Sequence, residues 1–528
     1  MSASRHRPAA TRLRVRGRRV LRNTQRLLLS LLLVLFTVAA IAATDKVIKR
    51  DDARWLQSMT IGLDSASVAQ FERAGRKRFL REQLQADDAG DASLPAPVRA
   101  QLDGYAALHT PVQELLKQQA AAQQAIKAMP DGDAKVAAKK AAQQRGDLLL
   151  NQARQAQLLR AIYAPDQLRE QMVWFWLNHF SVFADKGRLR WTVADYADNA
   201  IRPHALGKFS DLVMATLQSP AMLEYLDNAQ NAKGKVNENY ARELMELHTL
   251  GVDAGYTQKD VQQLALILTG VGIAPVDRDG PPKLPPALQG QYLRRGAFEF
   301  NPARHQPGDK TLLGQRIAGG GFDEVERAVQ LIVRQPACAH FISRQLADYF
   351  VADDPPPALV EKMARTFQRS DGDIAAVLQV MFTAPEMAAG APHKFKDPYR
   401  FLVSALRLAY DGQTIVNPQP LLGWLNQMGE PSFGRITPDG WSLQSSAWNS
   451  SGQMAQRFEI ARAIGNGNTQ LFTVDGQQRG GFPQLSTPLY YHAIEPQLSD
   501  ATRQALAQAR SQQEWNGYLL ASPDFNYR

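Results

Sequence analysis

A single cysteine, Cys338, stands among the 528 residues, so an intrachain disulfide is excluded and the fold must rest on packing. It lies in the apolar stretch PACAHFI, the setting of a buried, inert thiol. The patterns of several common chemistries are missing too. There is no His-Glu-x-x-His, no paired Cys-x-x-Cys and no acidic calcium loop. A Gly-x-Ser-x-Gly elbow is absent, which argues against an α/β hydrolase. No nucleotide or flavin motif occurs, and the cofactor, if there is one, is unknown from the sequence.

Acidic residues are absent before Asp45, while nine arginines stand in residues 1–43. An apolar run, LLLSLLLVLFTVAAIAA, fills 27–43. A basic stretch, a leucine-rich core and small residues near Ala40 and Ala42 predict a signal peptide or an uncleaved N-terminal membrane anchor over 1–43. The expected location is the periplasm or cell envelope, with membrane contact if the segment is retained. Arg18-Arg19 loosely resembles a twin-arginine signal. Removing the leader arginines takes the net charge from +10 to about +1, so the basic pI gives no support to nucleic-acid binding.

Beyond the leader, helical periodicity dominates and implies an all-α, multi-helix domain over 44–528. Residues 51–85 predict two amphipathic helices broken near Gly62. An Ala/Gln/Lys/Leu-rich segment, about 105–163, predicts a long antiparallel helical hairpin turning at Pro130-Asp131-Gly132, with Leu115, Leu148, Leu149, Leu158 and Leu159 as its apolar contacts. Thr257-Gln258-Lys259-Asp260 is a capping box opening a helix that closes at Gly270. Ser370-Asp371-Gly372-Asp373 opens another, stopped by Pro385. Two extended Pro/Gly-rich loops are expected, one between Gly270 and Phe322 and one over 433–450 with Asp439, Trp441 and Trp448.

Three clusters carry polar chemistry. NENYARELMELHTLG (237–251), wound at 100° per residue, puts Tyr240, Ala241, Leu244, Leu247 and His248 on an apolar arc. Glu238, Asn239, Arg242 and Glu246 face the other way, with Glu243 at the edge and Gly251 at a left-handed cap. The polar arc is either a solvated face laced by ion pairs or the wall of a polar cleft. His179, within DQLREQMVWFWLNHFSVF (166–183), and His248 each fall on an apolar face. Such histidines are usually neutral core residues, though two on separate helices could converge on a metal or cofactor. In ARHQPGDKTLLG (303–314), His305 and Lys310 share a Gly/Pro loop that lacks P-loop spacing.

WFWLNHFSV (174–182), SPAMLEYLDNAQNAKGKVNENYARELMELHTLGVDAGYTQKDV (219–261), HQPGDKTLLG (305–314), FVADDPPPALVEKMARTFQRSDGDIAAVL (350–378) and PDGW (438–441) resemble the domain of unknown function 1800 family. These are bacterial exported or envelope proteins with no established reaction. The motifs run in order from about Trp55 to Arg462, with the hairpin as an insertion. The resemblance implies as partner a sulfatase-like exported protein of the domain of unknown function 1501 family. It also keeps the 237–251 polar set together with Asp227, Asn228 and the His305 loop, which favours the cleft. The family loop reads His-Asp-x-Gly-x-Lys, but here Gln306 and Pro307 follow His305, and the nearest acid is Asp309.

The expected role is a scaffold or maturation partner of an exported protein. The alternative is an envelope hydrolase or transferase. Its catalytic candidates are Glu238 and Glu243 as acid/base groups, His305 as a base, and Arg242 and Lys310 as anion stabilisers. Asp227, Asn228, Asn237, Asn239 and Trp441 are its substrate-binding candidates. A third reading places a metal or cofactor at His179 and His248.

Overall fold

The computed structural model describes residue 2 and residues 47–85, 90–278, 280–387, 394–474, 477–478 and 482–528. Apart from residue 2, the 1–43 leader lies outside the described residues. Among those residues no helix is long and apolar enough to cross a membrane.

The chain is mainly helical, and one helix organises it. Gln167–His179 is buried on nearly every side, including its polar residues. Burial of that kind requires each polar group to find a partner. Glu170 takes a two-oxygen fork from Arg202, at 3.0 Å to the second oxygen. Gln171 donates to the Ser58 carbonyl (3.1 Å) and accepts from Arg400 (2.6 Å). Trp176 donates its indole N–H to the Ala205 carbonyl at 2.9 Å. Around this helix lie Arg50–Met59 and Ser65–Leu84, separated by a turn containing Gly62, and later Pro336–Phe350 and Pro398–Ala409. One continuous apolar core joins these elements.

Helices Val112–Ala128 and Asp133–Tyr163 flank the Pro130-Asp131-Gly132 turn. The lower part of the second arm is core, since Leu149, Leu150, Ala153, Leu158 and Ile162 join the main cluster and Leu159 a smaller one. Leu148, expected among the contacts, is 46% exposed, because the helical phase turns its neighbour Leu149 inward instead. The capping box is present, with Thr257 and Asp260 bonding reciprocally before Gln258–Ile267. Asp373 caps Ile374–Phe382 by accepting from Ala376 N at 2.9 Å.

The stretch after Gly270 is not an unstructured loop. Strands β1 (Val271–Ile273), β2 (Leu293–Arg295) and β3 (Phe298–Phe300) form an antiparallel sheet with β3 in the centre. A hairpin of β4 (Lys310–Leu312) and β5 (Gln315–Ile317) follows. Phe298 and Phe300 pack on Phe322, so short apolar pieces between the prolines pay for pairing by burial.

The 237–251 segment also departs from a uniform α-helix. It is α over Asn239–Glu243 and then a π-turn over Leu244–Thr249. The wider turn inserts one residue, so Met245, His248 and Thr249 face the core while Leu247 is only half-buried. The apolar arc expected from 100° spacing is therefore wrong at Leu247. Gly251 ends the turn at φ +89°, donating to the Met245 carbonyl (3.2 Å), and a Cβ there would meet the Phe341 ring at 2.9 Å.

Candidate functional site

The residues singled out in the sequence do not converge on one place. Arg242 and Glu238 pair at 3.2 Å with side chains 40% and 35% exposed, and Gln258 bridges them at 2.9 Å to Arg242 and 2.7 Å to Glu238. This part of the polar arc is a solvated face, which corrects the closed cleft expected around Arg242. The extra residue of the π-turn is the reason that only Glu246 of the polar arc, together with Leu247 of the apolar one, turns toward a cavity.

His305 and Lys310 form a buried network of their own. His305 Nε2 meets Glu324 Oε1 at 3.1 Å, and Lys310 Nζ donates to Glu324 Oε2 at 2.6 Å. Nδ1 of His305 bonds the Thr269 carbonyl at 2.8 Å, and Lys310 also donates to the Gln306 carbonyl. Burial alone would push the Glu324 carboxyl up. The bonds from His305, Lys310 and Gly320 instead hold it down at about 2. Every member spends its polar groups on another, so the trio clamps the loop to helix Phe322–Val333. Asp309 does not supply the charge here. It pairs with Arg316 on the exposed hairpin and accepts from Gly319 N at 3.0 Å.

Of the substrate-binding candidates, four are structural. Asp227, in the left-handed region at φ +63°, pairs with Lys186 at 2.9 Å. Asn228 is buried and donates to the Leu268 and Val271 carbonyls. Asn237 accepts from Asn239 N (2.9 Å), and Asn239 donates to the Leu226 carbonyl (3.2 Å). The two buried histidines do approach, with ring centroids 6.0 Å apart. They share no focus for a metal, because His179 Nε2 points at the His248 carbonyl, 2.9 Å away. Among the described residues, no group of three or more His, Cys, Asp or Glu side chains could hold a metal ion.

Trp441, the fifth candidate, opens onto a cavity of about 540 Å³. Its walls come from the end of helix Gln167–His179 (Phe175, Asn178, His179), the π-turn (Glu246, Leu247), helix Pro336–Phe350 (Phe341, Gln345, Asp348) and the 429–448 loop. The loop is pinned by Asn178, whose side-chain oxygen accepts from Trp441 N at 2.6 Å and whose amide donates to the Trp441 carbonyl at 2.9 Å. That close approach explains the glycine of PDGW: a Cβ on Gly440 would sit 2.2 Å from the Asn178 carbonyl oxygen, at φ +73°. Trp441 and Trp448 meet edge to face at 6.3 Å, with Arg435 over the Trp441 ring at 5.6 Å.

Burial dominates the electrostatics. Asp348 is 8% exposed, and desolvation pushes its carboxyl up to about 6 against the 2.9 Å bond from Arg344. Asp439 would be raised by burial, but Arg435 and Thr437 hold it below the ordinary range. Glu243 is raised by burial and by Glu246, with Arg242 opposing. Burial lowers His179 to about 4 against the favourable His248 carbonyl, so the ring is neutral. A carbonyl only accepts, so Nε2 carries the proton and Nδ1 is left as an acceptor in the cavity wall. His248, fully buried, is lowered well below its usual value, by desolvation first and His179 second.

Sequence reasoning missed Asp348, Gln345, Phe341 and Arg435 as site residues. Nothing local marks them, because Asp348 reads as an ordinary helix residue paired with Arg344 four places earlier. Asn178 stood inside a noted motif, but its partner is 263 positions away.

A family model described as "Protein of unknown function (DUF1800)" matches residues 54–527, a span that includes the helical hairpin and every wall of the cavity. No curated protein and no solved structure matches the chain.

Proposed function

The chain belongs to the DUF1800 family, whose function is unknown, and we propose that its cavity binds a carbohydrate, with Asp348 as the acid–base group acting on it. The observation that carries this reading is the lining itself. Trp441, Trp448 and Phe341 offer ring faces, while Gln345, Gln444, Glu246 and Asp348 offer hydrogen-bonding groups. Sugar rings present apolar C–H faces and a belt of hydroxyls, which is the complement of such a wall. A volume of about 540 Å³ suits a short oligosaccharide segment. Asp348, lifted to about 6 by burial, can give or take a proton near neutral pH, as protonation of a leaving sugar oxygen requires.

Under this proposal the enzyme reading moves to a different cleft, with Glu246 and Asp348 in place of Glu238, Arg242, Glu243 and His305. Titration calorimetry against a panel of envelope oligosaccharides tests it. We expect binding that is lost in Trp441→Ala, and retained in Asp348→Asn with turnover abolished. No binding by any oligosaccharide, with the variants indistinguishable from wild type, would sink the proposal.

The scaffold reading is favoured by a separate observation. The hairpin beyond the core exposes Val136 and Leu148 on an Ala/Gln/Lys-rich surface, suited to a partner such as the sulfatase-like exported protein. Export to the periplasm or envelope is proposed on the 1–43 leader. A reporter fused after residue 60 should be active only outside the cytoplasm, and a cytoplasmic pool of full-length protein would refute it.

A further inference from the structure

We propose that the cavity recognises a primary ammonium group, so that its ligand is an amino sugar carrying a free amine; this rests on the carbohydrate reading above. The inference comes from which polar groups in the wall are still unspent. Arg435 is committed to Asp439 through two bonds, at 3.2 and 2.9 Å. Arg344 is committed to Asp348. Asn178 spends both ends of its amide on the Trp441 backbone, and the Trp448 indole N–H goes to the Ser442 carbonyl at 2.9 Å.

Of the side chains left unspent, Gln345 and Gln444 can donate or accept, whereas Glu246 and His179 offer only acceptors. Glu246 is half-buried in the wall, and its side chain makes no hydrogen bond or ion pair among the described residues. His179, 9% exposed, presents an unpartnered Nδ1 whose lone pair is held ready by the Nε2 bond to His248. An ammonium has three donors and no acceptor, which matches a carboxylate and an imidazole lone pair. The ring faces of Phe341, Trp441 and Trp448 attract a cation as well.

Anionic ligands fit poorly. Glu246 and Asp439 both add to the cost of ionising Glu243, which burial raises first, while both nearby guanidiniums are already paired. An N-acetylated sugar loses the charge and leaves Glu246 facing a neutral amide.

The test compares a glucosamine tetramer with an N-acetylglucosamine tetramer by titration calorimetry at about pH 6, where the free amine is charged. The glucosamine oligomer should bind at least roughly tenfold tighter. Glu246→Gln should remove that preference without changing the far-UV circular dichroism, since Glu246 has no partner to lose. Salt at about 0.5 M should weaken only the glucosamine oligomer. Equal binding of both oligomers, abolished by Trp441→Ala, would overturn the ammonium assignment and leave the carbohydrate cleft standing. Failure of both to bind would overturn both. A lysine-containing peptide that binds as tightly as the amino sugar, and loses binding in Glu246→Gln, would overturn the sugar assignment.

Discussion

Two ion pairs that look alike in the sequence should respond very differently to truncation. Arg242→Ala removes a cation that is 40% exposed from a carboxylate that is 35% exposed. Water and Gln258 both replace it at Glu238, so the loss should be about 0–1 kcal/mol. Lys310→Ala removes a cation whose side chain is 2% exposed from Glu324, which is 1% exposed. Glu324 would keep His305 and the Gly320 and Gly321 N–H groups, at 2.8 and 3.3 Å, but would lose the lysine ammonium. Taking the ammonium from a buried carboxylate should cost about 3–5 kcal/mol. Urea unfolding followed at 222 nm, with Glu324→Gln and the Lys310→Ala/Glu324→Gln double variant, closes the cycle. The double variant should lose well under the sum of the singles. A loss above about 2 kcal/mol for Arg242→Ala, or below about 1 kcal/mol for Lys310→Ala, would refute the burial argument.

Gly440→Ala forces a Cβ into the Asn178 carbonyl at positive φ, so it should cost roughly 1–3 kcal/mol and weaken ligand binding, read by melting and calorimetry. Glu324 is held at about 2, below its unfolded value, so its stabilisation is complete above about pH 4.5. That stabilisation should fade as pH falls toward 2, and Glu324→Gln should flatten the acid limb of a pH–stability curve. Lys396 is buried without a carboxylate partner, donates to Ser404 at 3.1 Å, and is pushed down to about 7 by burial, then by Arg457 and Arg400. The unfolded lysine holds its proton to about pH 10.4, so the penalty is full below pH 7 and fades as pH rises between these values. Lys396→Met should therefore stabilise the protein by roughly 1–4 kcal/mol at pH 6, with the gain shrinking toward pH 10.

Sequence periodicity was enough for the helical class, the 167–179 and 258–267 helices and the capping at Thr257 and Asp373, because these depend on residues within a few positions. The motif residues of PDGW and WFWLNHF were equally visible as unusual. Their purpose was not, since Gly440 is explained only by a carbonyl at Asn178 in another part of the chain. The 271–317 stretch looked like a loop because three-residue strands are too short for an alternating pattern, and they exist through pairing and Phe packing.

Local pattern alone could state that Glu238, Arg242, Glu246, His305 and Lys310 are polar residues in motifs. It could not state which would be solvated, which buried and which left facing a cavity. A π-turn moved Glu246 away from its helical neighbours, and Glu324, ten or more residues beyond the loop it neutralises, made His305 and Lys310 a structural clamp. Burial and partner choice are sums over chain segments distant in sequence, and a charge's chemistry depends on both. Those sums are defined only once the chain has folded.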